Sequence, residues 1–375
     1  MTAGFGVYVH WPFCARICPY CDFNIYRDRS VDAERWTRAI TRELAYWAGR
    51  TQGRRLTSVY FGGGTPSLAP LPVIEAVIDE CERLWGFAPD PEITIEANPT
   101  NAELSRFRAF HTAGVNRLSL GVQSFDDAAL RFLGRDHDAA TAQSAIETAL
   151  AVFARVTADF IYARPEQTAR MWGEELSRAI STGVTHLSLY QLTIEPGTAF
   201  DRAVSKKRWA PADEDVAADL FDATQELTAA AGLPAYEISN HAAPGEESRH
   251  NFLYWRQDDY VGVGPGAHGR VTTDGVRIAT ETELKPADYL GMVESKGCGA
   301  AFQGALSEKE VLAERLIMGL RTLEGARLNP SEWEALEERI APLVAQGLIR
   351  RCDERLVAGK EGRRILDTLL ATLVP

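Results

Sequence analysis

Short runs of β-branched, aromatic and aliphatic residues punctuate the first half of the chain, at Phe5 to Trp11, Ser58 to Phe61, Glu92 to Ile95, Arg117 to Val122, Val156 to Ile161 and His186 to Leu192. Each run ends in polar residues, glycine or proline. Apolar positions at helical spacing fill the stretches between them, as in Ala33 to Trp47, Leu71 to Leu84, Ala102 to Ala113 and Ala139 to Phe153. Strand and helix in alternation predict a parallel sheet, open or curved into a barrel. In both arrangements functional residues collect at the carboxyl ends of the strands. There the sequence places a cysteine-rich loop, Gly62-Gly63-Gly64-Thr65-Pro66, Glu96-Ala-Asn98-Pro99, Gln123-Ser124 and Asp159-Phe-Ile-Tyr162.

The second half reads differently. A helical pattern runs from about Pro211 through Ala231, and a Gly/Pro/Asn/His-rich stretch from Pro234 to Gly269 suits long loops with short strands. Beyond Leu306, Ser307 to Leu320 and Pro330 to Gln346 predict amphipathic helices, followed by a hairpin from Gly347-Leu-Ile-Arg350 to Arg355-Leu-Val-Ala358. That order predicts a small winged-helix-like C-terminal domain. Three units are expected: residues 1–235, 236–305 and 306–375.

Composition narrows the function classes. With 45% hydrophobic and 25% charged residues the chain is an ordinary globular one, and a formal net charge of -12 argues against nucleic acid as a partner. No run approaches the roughly 18 apolar residues of a membrane span. Met-Thr-Ala-Gly-Phe-Gly leads to the cysteine loop without a signal-peptide core, so a cytoplasmic protein is expected.

Half of the six cysteines lie in one run, Cys14-Ala-Arg-Ile-Cys18-Pro-Tyr20-Cys21, which argues against a disulfide framework; Cys81, Cys298 and Cys352 read as ordinary thiols. Three thiolates are an incomplete ligand set that leaves a metal position open. Zinc with His10 as fourth ligand is one alternative, but the second Cys or His pair usual in zinc folds is missing, and c-type heme attachment would need Cys-x-x-Cys-His. The triple glycine lacks the Gly-Lys-Ser/Thr ending of a phosphate loop. Its bare backbone nonetheless allows close approach of a ligand.

The spacing Cys-x-x-x-Cys-x-x-Cys, with an aromatic residue before the third cysteine and Gly-Gly-Gly-Thr-Pro one strand later, resembles the radical S-adenosylmethionine (SAM) superfamily. The resemblance implies a partial (β/α)6 TIM-like barrel, with Cys14, Cys18 and Cys21 holding a [4Fe-4S] cluster whose fourth iron binds SAM. It also implies reductive cleavage of SAM to a 5'-deoxyadenosyl radical, for which an electron donor is needed. Tyr8, Tyr20, Gly63, Gly64, Thr65, Glu96, Gln123, Arg135 and Asp159 match SAM-contacting positions of the family.

Within the superfamily the whole chain resembles the group of oxygen-independent coproporphyrinogen III dehydrogenases and the heme chaperones related to them. The dehydrogenases carry a fourth cysteine where this chain has Phe23, and a long extension before the cluster loop where this chain has thirteen residues. His250-Asn251-Phe-Leu-Tyr254-Trp255 looks like the His-Asn-x-x-Tyr-Trp motif of the chaperones, which implies His250 as a heme ligand; His241 and His268 are further candidates, each read as structural. The expected partners are heme and heme-accepting apoproteins, with room for a homodimer; the alternative is a radical oxidoreductase acting on coproporphyrinogen III. The chain departs from the group's pattern at Ile25, at Ala163, Arg164 and Glu166, and in Ser239-Asn-His241-Ala-Ala243-Pro-Gly, which touches the back of the SAM pocket and the substrate side but not cluster binding.

Overall fold

A computed structural model describes residues 4–27 and 30–374, so the first three residues of the N-terminal stretch read above lie outside the described part. Strands β1 (Phe5–Trp11), β2 (Leu56–Gly63), β3 (Phe87–Ala97), β4 (Arg117–Gln123), β5 (Arg155–Tyr162) and β6 (His186–Gln191) lie side by side in chain order and pair in parallel. Parallel neighbours need a crossover, and helices such as Ala33–Ala48, Leu71–Trp85 and Ala139–Leu150 supply it. Asp32 and Asp138 start two of these helices by accepting from the backbone N–H groups of Arg35 and Thr141.

Alternation along the strands decides which face meets the helices. Val59 and Phe61, Ile93 and Ile95, Leu118 and Leu120, and Leu187 and Leu189 are buried in the main hydrophobic core with Trp36, Ile40, Leu44, Val77 and Ile146 of the helices. Each such fully buried aliphatic side chain contributes about 1.5–3 kcal/mol. The intervening residues are polar: Ser58 and Tyr60 on β2, Glu92, Thr94 and Glu96 on β3, Arg117 and Ser119 on β4, Thr157 and Asp159 on β5, His186 and Ser188 on β6. The parallel register aligns them across the strands, so the inner face is polar throughout.

The expected partial (β/α)6 barrel is present and does not close. β7 (Asn240–Ala242) pairs antiparallel to β6, and β8 (Asp259–Val263) pairs parallel to β1 at the other edge. β9 (His268–Thr273), β10 (Val276–Thr282) and β11 (Ala300–Ala305) continue outward from β8 as an antiparallel meander, giving one eleven-stranded mixed sheet.

The C-terminal part follows the expectation, with helices Glu308–Gly319 and Pro330–Ala345, then the hairpin β13 (Ile349–Cys352) and β14 (Arg355–Ala358). β12 (Ala326–Arg327) adds a third strand on β14, and helices Lys360–Arg364 and Leu366–Leu373 follow. Leu316, Leu336, Ile340, Leu356 and Leu369 form a separate core there. One expectation is corrected: the single helix over Ala102 to Ala113 is two, Asn101–Leu104 and Phe107–Thr112. Glu103 and Arg106 at the break turn to the triple-glycine side, where Glu103 accepts from Asn98 N (2.7 Å) and the Ser67 hydroxyl while Arg106 donates to the Ser67 and Ala69 carbonyls.

Candidate functional site

The cysteine loop leaves the end of β1 and returns beside its own start, with Cys14 N donating to Tyr26 O (3.0 Å) and Tyr26 N to Pro12 O (2.7 Å). The triple glycine clamps it: Gly64 N donates to Trp11 O (2.7 Å) and Thr65 N to Phe13 O (3.0 Å). A Cβ on Gly64 would meet those same two carbonyl oxygens at 2.8 Å, which is why a glycine stands there. Further along, Asn24 Nδ2 donates to Pro265 O (3.0 Å) and Leu284 O (2.8 Å), and Phe200 N to Pro19 O (3.0 Å). Three partly exposed thiols thus sit on a loop tied at both flanks.

Among the described residues no three His, Cys, Asp or Glu side chains converge tightly enough for a single ion. A cubane, taking one thiolate per iron, does not require such convergence. His10, weighed above as a zinc ligand, has its ring nitrogens at Tyr8 Oη (3.1 Å) and Asn24 O (3.0 Å), so it braces the loop instead. Burial pushes the Cys14 thiol up and the Cys21 thiol to about 11, so metal loading must displace protons. Thr65 Oγ1 lies 3.4 Å from Cys14 Sγ, and Arg135 Nη1 lies 3.4 Å from Cys18 Sγ.

Opposite the loop, on the inner face, stand two carboxylates. Glu96 accepts from Tyr60 Oη (2.8 Å) and Gly63 N (3.2 Å), and Asp159 accepts from Ser119 Oγ (3.0 Å). Burial, with the Asp159 charge adding, raises Glu96 to about 7, and burial raises Asp159 to about 6. Two carboxyls held this way form a pocket that favours a cation. On the loop side Arg135 supplies positive charge: it donates to Gly121 O (3.0 Å) and Asn98 Oδ1, while its buried Nε has no partner among the described residues.

The donor set fits SAM, whose ammonium and sulfonium suit the carboxylates and whose carboxylate suits Arg135. Bound there with the cluster, SAM would supply one-electron radical chemistry. Tyr8 stacks beside Tyr60 at 6.3 Å, and Gln123, at a positive φ of 66° ending β4, packs its amide over Gly121 near Asn98 and Arg135. Tyr8, Gly63, Gly64, Thr65, Glu96, Gln123, Arg135 and Asp159 therefore share one mouth with the three cysteines. Tyr20 stands at its margin, with its ring 6.3 Å from Phe200 and its hydroxyl beside Cys18.

His250 lies elsewhere. The helix Arg249–Trp255 rests on the inner face at the amino ends of the strands, where Ser248 Oγ and His250 N donate to Glu92 Oε1 (3.3 and 3.0 Å). The His250 ring is fully buried and stacks on Tyr60 at 5.0 Å, with Nδ1 2.8 Å from Ser58 Oγ and Nε2 2.8 Å from Tyr254 Oη. Burial holds its pKa down to about 3. In this conformation both ring nitrogens are engaged, so an iron could reach neither without opening the barrel floor. His241 is likewise buried, with Nε2 3.2 Å from Gln225, whereas His268 is exposed.

Sequence reasoning noted Asn98 in a strand-end segment but gave it no role, and it bridges Thr65 Oγ1 (3.1 Å) to Arg135; Tyr60, Ser119 and Ser188 beneath the carboxylates were passed over. The period-two alternation of each strand was the available signal. Arg164, a departure from the family pattern, is buried and pairs with Glu175 (2.5 Å) and Ser124 Oγ (2.6 Å) behind the Gln123 turn. Cys81 and Cys298 are buried and Cys352 is exposed, all unpaired.

Residues 8–179 match the radical SAM superfamily, and residues 306–365 match the HemN C-terminal domain. Over 387 residues the chain is 37% identical to the mitochondrial radical S-adenosyl methionine domain-containing protein 1 of Mus musculus, covering 99% of this chain and 87% of that protein. The chain belongs to the radical SAM superfamily. Heme chaperone HemW of Escherichia coli (strain K12) is 35% identical to this radical SAM protein over 374 residues, covering 97% of each. The fold is shared with E. coli coproporphyrinogen III oxidase (HemN), a radical SAM enzyme, at a TM-score of 0.82 and 22% identity over 99% of this chain and 90% of that one. A [4Fe-4S] cluster and SAM are what membership implies. Among the described residues no helix is long and apolar enough to cross a membrane.

Proposed function

We propose that this radical SAM protein is a heme chaperone that binds heme and passes it to acceptor proteins, with a [4Fe-4S] cluster on Cys14, Cys18 and Cys21 and SAM at the open iron. The observation that carries this reading is the match of nearly the full chain to heme chaperones HemW of E. coli and Mycobacterium tuberculosis, at 35% and 34% identity. Phe23 supports it: the side chain standing where the dehydrogenases have a fourth cysteine is 60% exposed and offers no thiol. Tyr8, Tyr20, Gly63, Gly64, Thr65, Glu96, Gln123, Arg135 and Asp159 are the proposed SAM contacts. We place the protein in the cytoplasm, with residues 1–235, 236–305 and 306–375 as its three units, apoprotein acceptors as partners, and an electron donor where SAM is cleaved.

The test is anaerobic reconstitution with iron and sulfide, then titration with heme and an assay of coproporphyrinogen III turnover with SAM and reductant. Cluster absorbance, saturable heme binding and no turnover are expected. Turnover without heme binding would replace the chaperone with an oxidoreductase.

A further inference from the structure

Strands β4 and β5 end in two neighbouring turns at the mouth that holds the proposed SAM contacts. Gln123 closes β4 at a φ of 66°, and Ala163, directly after β5, stands at 55° with Glu166 at 61° in the same turn. None of the three is glycine, the residue that takes such a conformation without steric cost. Other residues keep it only where their surroundings over-determine the backbone.

One carboxylate meets both turns. Glu175, on the helix Ala169–Ser181 that follows β5, accepts from Ser124 Oγ (2.5 Å) and Phe125 N (2.8 Å) of the first turn. From the second turn it accepts from Arg164 Nη2 (2.5 Å) and Gln167 Nε2 (3.4 Å). Arg164 closes the circuit: its Nη1 donates to Ser124 Oγ (2.6 Å), and its backbone N–H donates to Gln167 Oε1 (3.2 Å). Ser124 Oγ accepts in addition from Asp126 N (3.0 Å), so the first turn is tied to its own continuation as well. The Arg164 and Glu175 side chains are only 7% and 9% exposed, and Ser124 and Gln167 are buried with them.

Stability alone is a weak reason for a buried ion pair, because desolvation offsets most of the attraction and an apolar pair of similar volume often serves as well. What this pair fixes is the position of one turn against the other. Its bonds to Ser124 and Phe125 act on the residues immediately after Gln123, whose amide packs over Gly121 near Asn98 and Arg135. We propose that Arg164 and Glu175 are positioning residues for SAM, locking the turn after β4 to the turn after β5 and so holding the Gln123 amide in the pocket. Arg164 is one of the positions where the chain departs from the group's pattern, so the lock is a feature of this chain. The assignment rests on the SAM reading above and adds what keeps one of its contacts in place.

The measurement is calorimetric titration of SAM into the full-length, cluster-loaded protein, with urea unfolding alongside. Wild type, Gln123→Ala, Glu175→Gln, Gln123→Ala/Glu175→Gln and Arg164→Leu/Glu175→Leu are compared. Gln123→Ala should weaken SAM binding about tenfold, the order of one lost hydrogen bond, and Glu175→Gln about three- to tenfold. Gln123→Ala/Glu175→Gln should bind within about twofold of Gln123→Ala alone, because residues that act through one another do not add. A brace that served stability only would shift the unfolding midpoint and leave this coupling at zero. The leucine pair should unfold near the wild-type midpoint and keep its cluster absorbance, yet bind SAM as weakly as Glu175→Gln; it carries the test where Glu175→Gln does not fold. Wild-type affinity in the leucine pair, or additive losses in Gln123→Ala/Glu175→Gln, would overturn the assignment and leave the SAM reading standing. Wild-type affinity in Gln123→Ala would strike Gln123 from the SAM contacts and the assignment with it. Failure of the cluster-loaded wild type to bind SAM would bring down the SAM reading itself.

Discussion

Arg135 holds a guanidinium nitrogen 3.4 Å from the sulfur of Cys18, and its buried Nε has no partner among the described residues. A cation so placed joins the cluster loop to the SAM pocket. Arg135→Gln keeps much of the bulk and removes the charge. A hydrogen bond to a charged group contributes roughly 1.5–3 kcal/mol, so SAM affinity should fall about ten- to a hundredfold by calorimetry. Unchanged affinity would remove Arg135 from the SAM contacts.

Glu96 and Asp159 titrate above the ordinary carboxyl range, at about 7 and about 6. In the ligand-free protein the folded state therefore holds these protons more tightly than the unfolded chain. Their contribution to stability is full below the ordinary values of 3.8 and 4.5 and is lost as the pH rises through about 6 and about 7. A cationic ligand reverses the preference, favouring the charged carboxylates. SAM binding at pH 6 should release protons, seen as a dependence of the calorimetric heat on buffer ionisation enthalpy. That dependence should shrink above pH 8 and in Glu96→Gln.

His250→Ala removes the partner of two hydroxyls, Ser58 Oγ and Tyr254 Oη, and leaves a cavity against Tyr60. Each abandoned buried polar group costs about 1–3 kcal/mol. The variant should be about 2–5 kcal/mol less stable in urea unfolding. A loss below 1 kcal/mol would mean that the barrel floor does not depend on this ring.

Gly64→Ala drives a methyl group against two backbone carbonyls that already hold the cysteine loop. Neither can retreat without moving Cys14. Iron content after reconstitution should drop by more than half, while far-ultraviolet circular dichroism stays that of the wild type. Gly53→Ala, with open space around its Cβ position, is the control, at the strain of its positive φ alone.

The three cysteines, the triple glycine and Glu96 and Gln123 near their strand ends were legible because each is a local feature at the end of a periodic run, whereas Asp159, read as part of a strand-end segment, lies inside β5. Arg135, far from any strand end, was legible only through resemblance. The break at Glu103 and Arg106 was not, because helical periodicity cannot report a long-range bond to Ser67 or Ala69.

The linear order of residues by itself determined the parallel strands, the mouth they share and the thiol set, since hydrophobic period and ligand spacing are written along the chain. Only the tertiary structure decided which histidine faces solvent. His250 lies in the most motif-like segment yet is engaged on both ring nitrogens inside the barrel, while His268 stands exposed at the start of β9. Exposure and partner geometry arise when distant strands pair, and the register of β9, β10 and β11 is a property of the sheet.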